Sequence, residues 1–177
     1  MKKVLICPGI YNSGTQHWQT LWEENYPNLH RVPQHDWDHP VCAEWVESLE
    51  HAVREAGSEV VLVAHSLGCL MVAHWAAQTH LAIKGALLVA TPDPDGANFP
   101  SDAKGFAPLP TKPFNFNSIM VYSTNDPYST PAYTQRMAEH WGYKTLVNLG
   151  DRGHINAESG LGDWPEGFEL LTQLIQA

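Results

Sequence analysis

The chain has 177 residues, 44% of them hydrophobic and 16% charged, with a formal net charge of −9. That length and composition suit one domain with a substantial core, and no segment has the composition of disorder. The acidic balance argues against a nucleic-acid or anionic-membrane surface, and no apolar run approaches the length of a membrane-spanning helix.

Met1-Lys2-Lys3 followed by Val4-Leu5-Ile6-Cys7 briefly imitates a secretory leader. The apolar run is too short and Pro8-Gly9 ends it, so Val4–Cys7 reads as a first strand. Residues 15–24 predict a helix with Trp18, Leu21 and Trp22 on one buried face. Residues 29–32 form a weak strand before a polar loop, 34–40. Residues 41–56 predict a helix burying Trp45, Leu49, Ala52 and Val53, with Gly57 just past its end. Residues 60–63 form an apolar strand, and a helix runs over 67–77. Strands follow at 83–90 and 118–122, then a helix at Pro131–Trp141 with proline in its first turn. Residues 144–149 make the last strand and 167–176 the last helix. Neither a repeat nor a linker divides the chain. Apolar strands alternating with helices predict a single α/β domain over 1–177. Its sheet is mostly parallel and six-stranded, with helices on both faces. Ligands of such sheets sit beyond the carboxyl ends of the strands.

Cys7, Cys42 and Cys69 are odd in number and lack metal-site spacing. Cys7 and Cys69 lie on apolar segments and read as small buried hydrophobes of a reducing compartment, which makes the cytoplasm the expected location.

The stretch Val60-Val61-Leu62-Val63-Ala64-His65-Ser66-Leu67-Gly68 carries the chemistry. A serine between a buried strand and a helix, flanked two residues away by Ala64 and Gly68, is the context of the G-x-S-x-G nucleophile elbow, with alanine for the first glycine. The competing reading is an ordinary serine N-cap. A serine nucleophile needs a base and an acid from later strand ends. Asp126 follows the strand at 118–122, and His154 follows the strand at 144–149. The order Ser66, Asp126, His154 is that of the α/β hydrolases. The imidazole would take the serine proton and the carboxylate would hold its tautomer. Asp151, Asp93 and Asp95 compete for the acid's role. Asp151 is too near His154 in its own loop, and the other two sit in Thr91-Pro92-Asp93-Pro94-Asp95-Gly96, which has turn chemistry. For the oxyanion, the N–H of Leu67 is one donor. The loop Pro8-Gly9-Ile10-Tyr11-Asn12-Ser13-Gly14 supplies the other, Ile10 first and Tyr11 second.

With these residues placed, the chain resembles the small serine hydrolases related to retinoblastoma-binding protein 9, within the α/β-hydrolase superfamily. The resemblance runs nearly end to end. It rests on Pro8-Gly9, Ser13, His17-Trp18-Gln19, His65-Ser66-Leu67-Gly68, Asn125-Asp126-Pro127, Gly153-His154-Ile155-Asn156 and Ser159-Gly160-Leu161-Gly162-Asp163-Trp164-Pro165. It implies a minimal α/β-hydrolase core without a large cap, with Ser66, Asp126 and His154 in the catalytic roles. It also raises binding to retinoblastoma protein through an L-x-C-x-E motif. Pro40-Val41-Cys42-Ala43-Glu44 has proline where leucine is required and resembles a helix start, so that partner is not carried over.

His30, His35 and His39 with Asp36 and Asp38 match no metal spacing and read as a polar loop. Trp18, Trp22 and Trp45 read as core, whereas Trp37 and Trp164 sit in loops where they pack or line a pocket. The segment 92–116 is rich in proline and phenylalanine and should lie at the catalytic edge. Phe99 and Phe106 are its candidate acyl-binding residues, beside Tyr11 and His65. The alternative is a rigid loop packed on the body. The expected function is hydrolysis of a small ester, thioester or amide through an acyl-enzyme, without metal or cofactor. The alternatives are a hydrolase fold serving as a binding module, and acyl transfer to an acceptor other than water.

Overall fold

The computed structural model describes residues 3–143 and 145–177; Met1, Lys2 and Lys144, which the sequence reading placed in the leader-like start and in the last strand, lie outside them. The elements are β1 (Val4–Cys7), α1 (Trp18–Asn25), β2 (Leu29–Arg31), α2 (Cys42–Ala56), β3 (Val61–His65), α3 (Leu67–Gln78), β4 (Gly85–Val89), β5 (Asn117–Tyr122), α4 (Pro131–Trp141), β6 (Thr145–Asn148) and α5 (Pro165–Gln176). The strands form one six-stranded sheet in the order β2-β1-β3-β4-β5-β6. Every pairing is parallel, with Cys7 opposite Ala64 and Ala64 opposite Leu88.

Alternation along the strands divides the apolar side chains between two cores. Leu5, Cys7, Leu62, Ala64, Leu88 and Met120 face Trp45, Leu49 and Val53 of α2, Leu70 and Ala73 of α3, and Met137 and Trp141 of α4. Val4, Ile6, Val61, Val63, Leu87, Val89 and Val121 face Trp18 and Trp22 of α1 and Leu171 and Leu174 of α5. Both faces are therefore covered, the arrangement an all-parallel sheet requires. It is the α/β-hydrolase architecture, with no cap domain among the described residues. No helix among them is long and apolar enough to cross a membrane.

Several boundaries differ from the sequence reading. Helix α1 begins at Trp18, not at residue 15, because His17 caps it: its ring Nδ1 accepts the Gln19 N–H. Strand β3 reaches His65, two residues past the apolar run, because ladder pairing with β4 continues to His65–Val89. Helix α5 begins at Pro165, whose missing N–H costs nothing in a first turn. Helix α2 begins at Cys42, so the segment Pro40-Val41-Cys42-Ala43-Glu44 is a helix start with a buried cysteine. Burial pushes the Cys42 and Cys69 thiols up to about 12 and the Cys7 thiol well above its usual range.

Candidate active site

Ser66 joins β3 to α3 at φ 53° and ψ −124°, a conformation costly for any residue with a Cβ. Its N–H donates to Val89 O at 3.0 Å, and its carbonyl accepts the Cys69 N–H at 2.8 Å. The turn presses α3 onto the end of β1. A Cβ added to Gly68 would lie 2.2 Å from Cys7 O, so only glycine fits there. On the strand side Ala64 is fully buried between β1 and β4, and its methyl group fits where the elbow pattern has glycine.

Asp126 follows β5 and His154 follows β6, and the fold brings both to Ser66. His154 Nε2 lies 2.7 Å from Ser66 Oγ. Its Nδ1 lies 2.9 Å from each carboxylate oxygen of Asp126. The side chains of Asp126 and His154 are 3% and 11% exposed, so little water competes for the contact. Tyr128 N–H donates to Asp126 Oδ1 at 2.9 Å and fixes the carboxylate. Asn125 Oδ1 accepts the Gly153 N–H at 2.7 Å, tying the two loops together one residue before Asp126 and His154. Of the competing acids, Asp151 accepts the Thr124 hydroxyl, and Asp93 Oδ1 accepts the Asp95 N–H at 3.0 Å.

The loop after β1 passes close over the Ser66 turn. A Cβ on Gly9 would lie 2.9 Å from Ser66 Cβ and 3.3 Å from Leu67 N. Tyr11, Asn12 and Ser13 all have positive φ, at 66°, 64° and 41°. Arg31 holds this run: Nη1 donates to Asn12 O and Asn12 Oδ1, each at 2.8 Å. The fully buried Gln19 donates to Val63 O at 3.0 Å and accepts the Ser13 hydroxyl at 2.8 Å, anchoring the loop to the middle of β3. The Tyr11 N–H is committed to Trp37 O at 2.9 Å.

A cavity of about 490 Å³ opens here, with Ile10, Tyr11, His65, Ser66, Leu67, Phe99 and His154 in its wall. Tyr11 is 64% exposed at the mouth. Phe106 is outside the wall, a correction to the sequence reading: it is buried beside Trp45 and His74. The reason is topological. A connection between parallel strands must return to the opposite sheet edge, so only the first part of 92–116 stays near Ser66. Its far end, Phe114 and Phe116, stacks by Trp141 and lines a separate cavity at the amino edge. Trp37 packs on Trp45, and Trp164 is buried against Trp18. Asp36 Oδ1 accepts the N–H groups of Asp38 and His39, which accounts for that polar loop as a turn.

Two further wall residues are His17 and Tyr128. The Tyr128 ring lies 4.5 Å from that of His154, and the His17 ring 4.6 Å from that of His65. Burial pushes the His17 imidazole down to about 3, helped by the charge of Arg31 and by His154. Burial also holds His65 well below its usual value, with His17 and His154 adding to it. His65 Nε2 lies 2.9 Å from His154 O. A carbonyl only accepts, so this nitrogen carries the proton. For His17 the one sequence signal was the His17-Trp18-Gln19 run of the resemblance; Tyr128 had none beyond its place two residues after Asp126.

Residues 4–173 match the family described as serine hydrolase. The chain belongs to the serine hydrolase family. No curated relative matches its sequence. Among solved structures, this hydrolase is similar to a protein described as a YdeN-like hydrolase from Pectobacterium atrosepticum, at 29% identity and a TM-score of 0.87, over 98% of this chain and 90% of that one. The ydeN gene product of B. subtilis superposes at a TM-score of 0.81 with 18% identity, over 100% of both chains. An esterase from Thermogutta terrifontis does so at 0.69 with 16% identity, over 98% of this chain and 90% of that one. The last two likenesses speak for the fold.

Proposed function

We propose that this hydrolase cleaves a small uncharged carboxylic ester through an acyl-enzyme intermediate. Ser66 is the nucleophile, His154 the general base and acid, and Asp126 the group that orients His154. The observation that carries the reading is the unbroken line of contacts from Ser66 Oγ to His154 Nε2 at 2.7 Å and from Nδ1 to Asp126 at 2.9 Å. As Oγ bonds to the carbonyl carbon, its proton passes to Nε2, and the carboxylate stabilises the imidazolium. Collapse of the tetrahedral adduct breaks the carbon–oxygen bond, and Nε2 gives its proton to the departing alcohol. Water repeats the sequence on the acylated serine and releases the acid.

The oxyanion falls to the N–H of Leu67, at the positive end of α3, and to that of Ile10. Tyr11 drops out as the second donor because its N–H is already bonded to Trp37. A cavity of about 490 Å³ suits a short acyl chain, against a wall of Phe99, Pro92 and Pro100, with Tyr11 at the mouth. Neither lysine nor arginine is among its described lining residues, and Glu158 is, which disfavours anionic substrates. A fluorophosphonate probe is expected to label Ser66, and labelling is expected to vanish in Ser66→Ala, together with turnover of p-nitrophenyl butanoate. Folded wild-type protein that neither reacts with the probe nor turns over short esters would overturn the reading.

A further inference from the structure

The turn that carries His154 is held by two ring N–H groups from distant parts of the chain. His65 Nε2 donates to His154 O and Trp18 Nε1 donates to Ile155 O, each at 2.9 Å. These two carbonyls belong to the peptide planes on either side of Ile155, so the pair of bonds fixes rotation about that residue. Ile155 needs fixing: its φ is 49°, in the left-handed region, where a β-branched residue is strained. Released, it would relax toward negative φ and swing the attached His154 Cα–Cβ bond out of line. Both donors are buried, Trp18 at 1% and His65 at 4% exposure, so water cannot readily replace them. The Ile155 side chain is itself buried in one cluster with Trp18, Trp22 and Trp164. His17 closes edge-on over the His65 ring, the two centroids 4.6 Å apart.

We propose that Trp18 and His65 are positioning residues whose ring N–H groups hold the His154–Ile155 backbone in its strained turn, keeping the imidazole in line between Asp126 and Ser66. The functional half of this proposal rests on His154 being the base; the geometric half does not. His65 directly precedes Ser66, so its bond joins the proposed nucleophile and base by a second path through the backbone. Its neutral state keeps the donated proton single and directed, and places no cation beside the imidazolium that would form.

The test is a set of aromatic replacements with a matched control. Trp18→Phe keeps an aromatic ring but removes the indole N–H together with part of the ring volume, a loss that the control matches. Trp22→Phe removes the same group from an equally buried neighbour, one that donates to Asp163 O instead of the His154 turn. His65→Phe removes the second donor, and His65→Gln restores an N–H of similar reach. Two readouts are followed: kcat and KM for p-nitrophenyl butanoate, and the low-field proton resonance of His154 Nδ1–H bonded to Asp126. Trp18→Phe and His65→Phe are expected to lower kcat about tenfold with little change in KM, because small misalignments of reacting groups are costly. Both should shift or broaden the resonance, His65→Gln should recover most of each loss, and Trp22→Phe should leave both readouts in place. Equal behaviour of Trp18→Phe and Trp22→Phe would overturn the proposal, and this comparison decides alone if His65→Phe fails to fold. If the wild type turns over no ester and Ser66 takes no probe, the hydrolytic reading falls, while the resonance still decides whether the two donors position His154.

Discussion

The Ser66 turn and the His154 turn lie side by side at the carboxyl edge of the sheet, and both hold a non-glycine residue at positive φ, Ser66 at 53° and Ile155 at 49°. They are restrained in different ways. The Ser66 turn is locked by close packing of backbone, with α3 pressed onto β1 at Gly68 and bonds to Val89 O and Cys69 N–H. The His154 turn is locked by side chains, Trp18 and His65, which lie 137 and 89 residues from the carbonyls they hold. Strain held by backbone contact is written into neighbouring residues, because the contact itself demands glycine or alanine. Strain held by remote donors leaves no mark near the strained residue.

Removing chemistry from the Ser66 turn, or from the carboxylate that faces His154, without disturbing either restraint should give the largest effects. Ser66→Ala is expected to lower kcat by about a millionfold, and Asp126→Asn by about ten thousandfold. Both proteins should keep the wild-type circular dichroism spectrum. A mild loss in Asp126→Asn would return Asp93 or Asp151 to candidacy for the acid.

Attacking the backbone restraint should cost stability. Gly68→Ala sets a Cβ 2.2 Å from Cys7 O, a clash with backbone that cannot move aside. A loss of about 3 kcal/mol or more in urea unfolding is expected, or failure to accumulate folded protein. A Gly68→Ala protein of wild-type stability would mean that the elbow is not locked in this way.

The buried histidines beside the two turns, His17 and His65, make the fold acid-sensitive. The folded-state value of His17 is near 3 against an ordinary 6.5, and His65 is lowered in the same direction. As pH falls below 6.5, the unfolded chain takes up protons at these rings while the folded chain does not, so stability falls toward pH 3. For His17 this amounts to up to about 1.4 kcal/mol per pH unit in that window, and His65 acts in the same direction. His17→Asn keeps a side-chain acceptor for the Gln19 N–H and removes one titration. Urea unfolding between pH 7 and pH 5 should therefore show a shallower decline than in the wild type. The smallest effect is expected at Ala64→Gly, which restores the glycine of the elbow pattern. It should cost about 0.5–1 kcal/mol of stability through lost strand order and leave kcat nearly unchanged.

The extent to which the sequence could be read follows the same division. Strands, helices and their parallel arrangement were legible because hydrophobic period reports burial directly. Residues 60–68 announced the Ser66 turn through small residues at both flanks. Asp126 and His154 were legible because each follows an apolar run at a strand end. The burial of Phe106 is not legible, because composition does not say where along a crossover an aromatic lies, and sheet topology sends it away from the cavity. The places of His17 and Tyr128 in the cavity wall are not legible in sequence, because they depend on what lies across from them.

By itself, then, the sequence determined the α/β sheet and the sharp strand–turn–helix setting of Ser66, and it nominated the three residues of the candidate site, since each depends on local pattern and chain order. Only the tertiary structure decided that Tyr11 N–H is spent on Trp37, that Phe99 and not Phe106 faces the cavity, and that Trp18 and His65 grip the His154 turn. The physical reason is that a hydrogen bond or a cavity wall depends on distance in space, and these partners are far apart along the chain.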